Sequence, residues 1–280
     1  MYDKKFCRRI EAKVKREIER YKLIQGKVGV GVSGGKDSLV TFFILKKLGY
    51  NPIGILIDEG ICGYRNVTIE DAIKHFKEWD APLIIYSFKE EFGMTLDEMV
   101  KELNLIPCTI CGILRRYLLN KAARELGIKT LAVGHNLDDE AQSILMNLFQ
   151  NDIQKLARLG PVSGYAKHKS FIRRVKPLRK IKEKEVLAYA MLNGIKIHFI
   201  TCPYAPESFR SVVQKELNLY ESKHPGTKLN IVKWFDKRRE KFKSMVKDEK
   251  IGTCEVCGEP TAEEVCLTCQ LISKLQRKKK

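Results

Sequence analysis

No stretch of the 280-residue chain approaches the ~20 consecutive apolar residues that cross a bilayer. The opening segment, Met1 to Tyr21, is charged throughout and lacks the apolar core of a secretory signal. These two absences argue against a membrane protein and set a cytoplasmic one as the expectation. Tryptophan is scarce, and His75, His168, His198 and His224 stand at no ligand spacing, so they are expected in structural or surface roles. No repeat of fixed period is present. Acidic side chains are in deficit: 34 against 52 Lys and Arg, a net charge of +18. That imbalance favours a polyanionic partner, most simply a nucleic acid.

Cysteine, by contrast, is abundant. Six of the nine fall in Cys-x-x-Cys pairs: Cys108/Cys111, Cys254/Cys257 and Cys266/Cys269. In a reducing compartment that spacing points to metal or redox chemistry rather than structural disulfides. Hydrophobic content of 44% and charged content of 31% describe a folded chain long enough for one large domain and small appendages.

A basic helix is expected over residues 1–25, where Phe6, Ile10, Val14, Ile18 and Tyr21 recur at helical spacing. Short apolar strands at 27–32, 52–58, 82–87 and 130–134 then alternate with helices at 37–48, 67–79, 112–126 and 137–149. A polar helical stretch at 96–103 leads to Cys108. A basic strand-and-helix pattern follows over 171–200. The fold class is therefore α/β, a doubly wound parallel sheet covered on both faces. Ligands of such sheets bind beyond the carboxyl ends of the strands, where 33–38, 58–65 and 134–140 fall.

The first of these segments is Ser33-Gly34-Gly35-Lys36-Asp37-Ser38. A strand that ends in Ser-Gly-Gly and opens a helix leaves backbone N–H groups unpaired, and glycine lets an anion approach. The helix dipole and Lys36 add positive charge. A Walker A loop would need Gly at position 30 and Ser or Thr at 37; Val30 and Asp37 stand there. The dinucleotide fingerprint matches by letter at Gly29, Gly31 and Gly34. It would require a strand across Gln25-Gly26-Lys27, which is poor strand material, and leaves Lys36 to Ser38 unexplained.

At 134–140 the sequence reads Gly-His-Asn-Leu-Asp-Asp-Glu, again at a strand-to-helix junction. Acidic residues in a first turn are ordinary helix stabilisers. Beside a triphosphate, a carboxylate such as Asp139 has a second use as a Mg²⁺ ligand. His135 needs no catalytic role. Cys108 and Cys111 sit just before a helix, which lowers a thiol pKa. Cys202 follows an apolar segment, and the commonest reading of such a lone cysteine is a buried small hydrophobe. Three converging thiolates can hold three irons of a [4Fe–4S] cluster and leave the fourth open.

The segment Ser33 to Ser38 resembles the PP-loop of the N-type ATP pyrophosphatases, which adenylate a substrate oxygen. The downstream Cys108-x-x-Cys111, with Cys202 about ninety residues later, is similar to the tRNA 2-thiolation enzymes of the TtcA/TtuA family and their archaeal and eukaryotic cytoplasmic relatives. Asp58-Glu59-Gly60-Ile61, Gly63-Tyr64-Arg65, Gly134 to Glu140, Arg174 to Leu178 and Cys202-Pro203-Tyr204 carry the same resemblance, over roughly residues 8–270. It implies the PP-loop fold and a tRNA sulfurtransferase making 2-thiouridine. It makes Cys108, Cys111 and Cys202 cluster ligands. Val32, Ser33, Gly34, Gly35, Lys36, Asp37, Ser38, Gly134 and Asp139 become contacts of ATP and Mg²⁺, and Asp37 and Asp139 join the catalytic set. Ile57 and Asp58 should lie by the adenine. Arg115, one turn past Cys111, can reach phosphate or be a solvated helix residue.

Cys254-x2-Cys257-x8-Cys266-x2-Cys269 provides two knuckles and four soft ligands, which suits a closed structural Zn²⁺ site. One branch of the family carries a further N-terminal finger; Cys7 has no partner nearby, so no N-terminal metal is expected, whether the finger is lacking or the chain starts short of it. Cys62 is expected in packing. The organisation expected is a basic helix (1–25), a catalytic domain (26–225), a basic helical linker (226–250), a zinc module (251–271) and a basic, disordered tail (272–280). Basic segments at 1–22, 167–184 and 233–250 would grip tRNA. The resemblance leaves the sulfur donor open between a ubiquitin-like thiocarboxylate protein and sulfide, and family habit allows a homodimer. Two rival chemistries stay open: cluster-free thiolation through a Cys108/Cys202 persulfide and disulfide pair, and another PP-loop modification of tRNA. A catalytically idle, RNA-binding zinc-ribbon adaptor is a third reading, against which Lys36, Asp37 and Ser38 argue.

Overall fold

Valine and glycine alternate through Val28-Gly29-Val30-Gly31-Val32, a run too short for a helix and apolar enough to be buried on both faces. It is the central strand of the computed structural model, which describes residues 2–164, 170–205, 209–246 and 251–278. In chain order the elements are α1 (Tyr2–Tyr21), β1 (Val28–Val32), α2 (Lys36–Lys47), β2 (Ile53–Asp58), α3 (Arg65–Glu78), β3 (Leu83–Ser87), α4 (Phe88–Phe92), α5 (Leu96–Glu102), α6 (Pro107–Glu125), β4 (Thr130–Ala132) and α7 (Leu137–Phe149). There follow α8 (Ile153–Ala157), β5 (Val162–Ser163), β6 (Arg173–Val175), α9 (Glu183–Leu192), α10 (Phe209–Lys223), α11 (Thr227–Ser244), β7 (Gly252–Thr253), β8 (Pro260–Thr261) and α12 (Leu267–Lys278).

The sheet runs β3-β2-β1-β4-β6-β5 and is parallel except for the short edge strand β5, which pairs antiparallel with β6. From β1 the chain winds outward through β2 and β3, then returns to the other side of β1 as β4. The strand order therefore reverses between β1 and β4, and the crevice beyond their carboxyl ends is the topological switch point where ligands of open α/β sheets bind. One sheet face packs on α1, α2, α3 and α9 through residues such as Ile10, Val14, Phe42, Phe76 and Tyr189. The other packs on α5, α6 and α12 through Met99, Leu114, Leu118 and Leu271. A third apolar cluster joins α7, α8, α10 and α11 through Ile144, Leu156, Leu217 and Phe235.

Several expectations shift. The helix carrying Cys108 and Cys111 begins at Pro107 rather than Gly112, because proline suits the first helical position: its ring presets φ and its missing N–H had no partner there. Both cysteines are thus inside the first turns. The basic helix expected as a linker over 226–250 is α11, and it packs as part of the core, with Val232 and Phe235 buried against α7 and α8. Arg277 and Lys278, expected in a disordered tail, continue α12, whose Leu271 and Leu275 are buried. Cys62, expected in packing, is exposed. Residues 167–169 and 247–250 of the basic segments, His168 and the tail end 279–280 lie outside the described residues. No helix among the described residues is long and apolar enough to cross a membrane.

Candidate active site

The loop between β1 and α2 is shaped by one glycine. Gly34 has φ +82°, and a Cβ there would lie 2.0 Å from the Thr68 carbonyl oxygen of α3, so no side chain is tolerated. Ser33 and Ser38 lace the loop: the Ser33 N–H donates to Ser38 Oγ (3.1 Å), and Ser38 Oγ donates to the Gly35 carbonyl (2.9 Å). Gly35 supplies no side-chain cap to α2, so the helix N-terminus keeps donors for an anion. Val32 is buried in the core and Ile57 is buried beneath α6, so only their backbones are near the crevice. The Ile57 carbonyl is taken by Arg65, and Asp58 Oδ1 accepts the Gly60 N–H at 2.8 Å.

The second patch meets the first directly. At Gly134 a Cβ would sit 2.8 Å from the Asp37 carbonyl carbon, so glycine lets the end of β4 touch the first turn of α2. Asn136 caps α7, accepting the N–H groups of Asp138 and Asp139, and also donates through Nδ2 to Asp37 Oδ1 at 3.0 Å. The three acidic residues then divide. Asp138 is buried against Lys228 and accepts the Glu183 N–H. Glu140 is buried against Lys176 and Arg179, and Arg179 also binds Glu17 and Asp236. These two hold the fold. Asp139 alone stays in the crevice: Oδ2 accepts the Asn136 N–H and Oδ1 lies 3.8 Å from Arg210.

Burial raises the carboxyl of Asp37 against the pull of Lys36, and Asp139 adds repulsion. Burial raises Asp139 as well, with Glu183 and Glu140 adding to it. Two strained carboxylates in one crevice fit a divalent cation, which would relieve both. Lys36 crosses the crevice to Glu183 Oε1 (2.9 Å) at the start of α9 while touching Asp37 Oδ2 (3.0 Å). His135, next to Gly134 after the end of β4, is pushed down to about 4 by desolvation and then by Lys176, and is neutral at physiological pH.

A chain of charges leads from this loop to the cysteines. Arg65 is buried; its Nη1 donates to the Ser33 carbonyl at 2.8 Å and its Nε pairs with Glu59 Oε2 at 2.7 Å. The other oxygen of the buried Glu59 lies 3.6 Å from Arg115, which stands one turn along α6 from Cys111. The thiol of Cys108 contacts the Tyr204 carbonyl at 3.8 Å, which brings the Cys202 loop onto the start of α6. Asp97 fixes that loop by accepting from Tyr204 Oη (2.7 Å) and from the Cys62 N–H (2.8 Å). Cys111 and Cys202 share one apolar surround, and burial raises Cys202, with the Tyr204 backbone opposing and Cys108 and Glu59 adding. The helix start does not lower Cys111: burial pushes it up to about 11, with Arg115 opposing and Glu59, Cys202 and Cys108 adding. Such a trio fits a cationic group that binds thiolates.

Four of the other cysteines form a separate site. Cys254, Cys257, Cys266 and Cys269 bring their Sγ atoms within 4.8 Å of one another, a gathering the size of one ion. Burial alone would raise Cys254, but backbone N–H groups, chiefly from Cys266, Cys257 and Val256, bring it down to about 6. Four soft donors at this spacing fit tetrahedral zinc. His75 and His198 are structural: His75 Nε2 meets the Lys196 carbonyl at 2.6 Å and His198 Nδ1 meets Asp71 at 2.8 Å, both tying 195–200 to α3, while His224 is on the surface. Glu59, Arg65, Asn136 and Glu183 were not singled out as site residues. Arg65 and Glu59 lie within segments that carry the resemblance; Glu183 has no local signal.

Residues 6–203 match the family model of the PP-loop domain. The tRNA-5-methyluridine(54) 2-sulfurtransferase of Pyrococcus horikoshii is 40% identical, over 93% of this chain and 83% of its own length. The tRNA 2-thiolation protein NcsA of Haloferax volcanii is 34% identical, over 98% of this chain and 92% of its own. Among solved structures, the U34-tRNA thiolase NcsA from Methanococcus maripaludis with its [4Fe-4S] cluster superposes with a TM-score of 0.84 at 38% identity, covering 98% of this chain and 89% of that one. With the switch-point loop, the facing acidic patch and relatives alike over nearly their full length, the chain belongs to the PP-loop family of tRNA 2-thiolation sulfurtransferases.

Proposed function

We propose that this protein adenylates the C2 oxygen of a tRNA uridine with ATP and replaces that oxygen by sulfur. The observation that carries the reading is the unbroken contact chain Ser33–Arg65–Glu59–Arg115, which joins the nucleotide loop to the cysteine trio. The loop backbone at Gly34 and Gly35, the α2 N-terminus and Lys36 bind the triphosphate. Asp37 and Asp139 would hold Mg²⁺, and the β2 end at Asp58 would border the base. Transfer of AMP to the C2 oxygen forms a phosphate ester there and breaks the α–β phosphate bond, with pyrophosphate departing. AMP then leaves where hydroxide would not.

Cys108, Cys111 and Cys202 would hold a [4Fe-4S] cluster, which with three protein thiolates would offer a place for sulfur. The apolar surround of Cys111 and Cys202 keeps water from the activated uridine, while Arg115 places positive charge where AMP develops and departs. Neutral His135 adds no competing charge. Cys254, Cys257, Cys266 and Cys269 would bind a structural zinc ion. The sulfur comes from sulfide or a ubiquitin-like thiocarboxylate protein.

Cys202→Ala in anaerobically purified protein tests the reading. Loss of the visible iron–sulfur absorbance and of thiolation is expected, with ATP-dependent AMP formation retained. Survival of both cluster and thiolation sinks the three-cysteine assignment. Iron-free wild-type protein that still thiolates tRNA points to the persulfide route instead. Mass spectrometry of digested tRNA then identifies the uridine.

A further inference from the structure

Most basic side chains of the segment 170–184 are spent internally. Lys176 and Arg179 are buried on Glu140, Lys180 pairs with Asp236, and Lys182 pairs with Glu221. Arg173 and Arg174 differ. Arg173 donates to the carbonyls of Tyr21, Lys22 and Leu23. The described hydrogen bonds of Arg174 all leave from Nη2, to the Arg116 carbonyl and to Asn120 Oδ1. Among the described residues no carboxylate pairs with Arg116, Arg173 or Arg174. Burial and the nearby Arg116 and Arg115 pull Arg174 down to about 10, the mark of cations crowded without counter-charge.

These arginines line a cavity of about 940 Å³ between α6, the β5–β6 edge and the zinc module. Arg116, Tyr117 and Asn120 line it from a single face of α6, with Arg116 next to Arg115 and little more than one turn past Cys111. Phe171 adds an aromatic wall, and Pro260, Thr261 and Leu267 close the module side. The carboxylate in the wall, Glu259, is occupied on both oxygens by Arg124. A cavity with surplus guanidinium charge, aromatic surfaces and, among the described residues, no free acid is built for an anion that carries a ring. Single-stranded nucleic acid has that chemistry: phosphates for arginine and bases for stacking.

We propose that this cavity seats the tRNA strand adjoining the reacting uridine, with phosphates on Arg116 and Arg174 and a base against Tyr117 or Phe171. The proposal rests on the tRNA reading above and extends it to a place. Consecutive residues of α6 then serve two places, Arg115 the departing AMP and Arg116 the strand-holding face.

The test uses full-length protein loaded with zinc and cluster under anaerobic conditions, titrated against a tRNA transcript by fluorescence anisotropy at several salt concentrations. Arg116→Ala removes an exposed side chain and leaves packing intact; Arg174→Gln probes the half-buried partner. Each is expected to weaken binding about ten-fold and to lower the log–log salt slope by about one. Lys74→Ala, an exposed charge on α3 across the sheet, is expected to change neither. Melting temperature and cluster absorbance verify folding. Unchanged affinity and slope in Arg116→Ala overturn the proposal. Impaired thiolation with unchanged tRNA binding also overturns it and assigns the cavity to the sulfur donor. A wild-type protein that binds no tRNA refutes the underlying reading itself.

Discussion

At the scale of single residues, Asp37 and Asp139 are held at a cost. Their folded pKa values are raised by burial, so their stabilising contribution is present below the unfolded carboxylate pKa and is lost as pH rises through the folded value. In the ligand-free protein both carboxyls are therefore held against ionisation by burial. Asp139→Asn is expected to keep or slightly raise the melting temperature while lowering ATP-dependent AMP formation by about a hundred-fold or more. A variant that melts lower and still forms AMP would remove Asp139 from the site. His135 has the opposite sign of effect on pH. Its folded pKa of about 4 lies below the usual value of 6.5, so it favours the fold above pH 6.5 and loses that contribution as pH falls toward 4. Denaturant midpoints of His135→Asn should decline less than wild type across that window, and parallel curves would count against it.

At the scale of elements, the α2 entrance and the zinc module make separate demands. Gly34→Ala places a methyl against the Thr68 carbonyl at a positive φ, so α3 must move or the loop must open. AMP formation should drop at least about ten-fold, measured as pyrophosphate release, with thiol content unaltered. Cys257→Ser, or a strong chelator, should release β7–β8 and loosen α12. Leu271 and Leu275 then leave the core under α6, and protease cleavage within 251–278 is the readout. The sheet was legible because Val28–Val32, Ile53–Asp58 and Leu83–Ser87 are short apolar runs bounded by turns. The nucleotide loop was legible because its residues are contiguous. Glu183 was not, since its meeting with Lys36 is made by two helices far apart in the chain. Pro107 could have signalled the true start of α6, but the apolar run after Gly112 masked it. Arg173 and Arg174 look like their neighbours Lys176 and Arg179 in sequence; only the position of carboxylates separates an internal cation from a ligand-facing one.

At the scale of the whole molecule, the net charge of +18 predicts binding that is electrostatic in its bulk. Affinity for tRNA should fall by roughly a hundred-fold or more between 50 and 200 mM salt, and a flat response would discount the basic surface. The sheet order β3-β2-β1-β4-β6-β5 has another consequence, for synthesis. The nucleotide loop leaves the ribosome early, yet β1 lacks a neighbour on one side until β4 emerges. Cys108 and Cys111 emerge with α6, well ahead of Cys202, and the module that closes the arginine cavity emerges last. The nascent chain thus acquires a place for ATP first, a complete set of thiols second and a full seat for RNA only near release. A chain cut short before the module would keep the means to consume ATP without the means to hold what ATP is meant to modify.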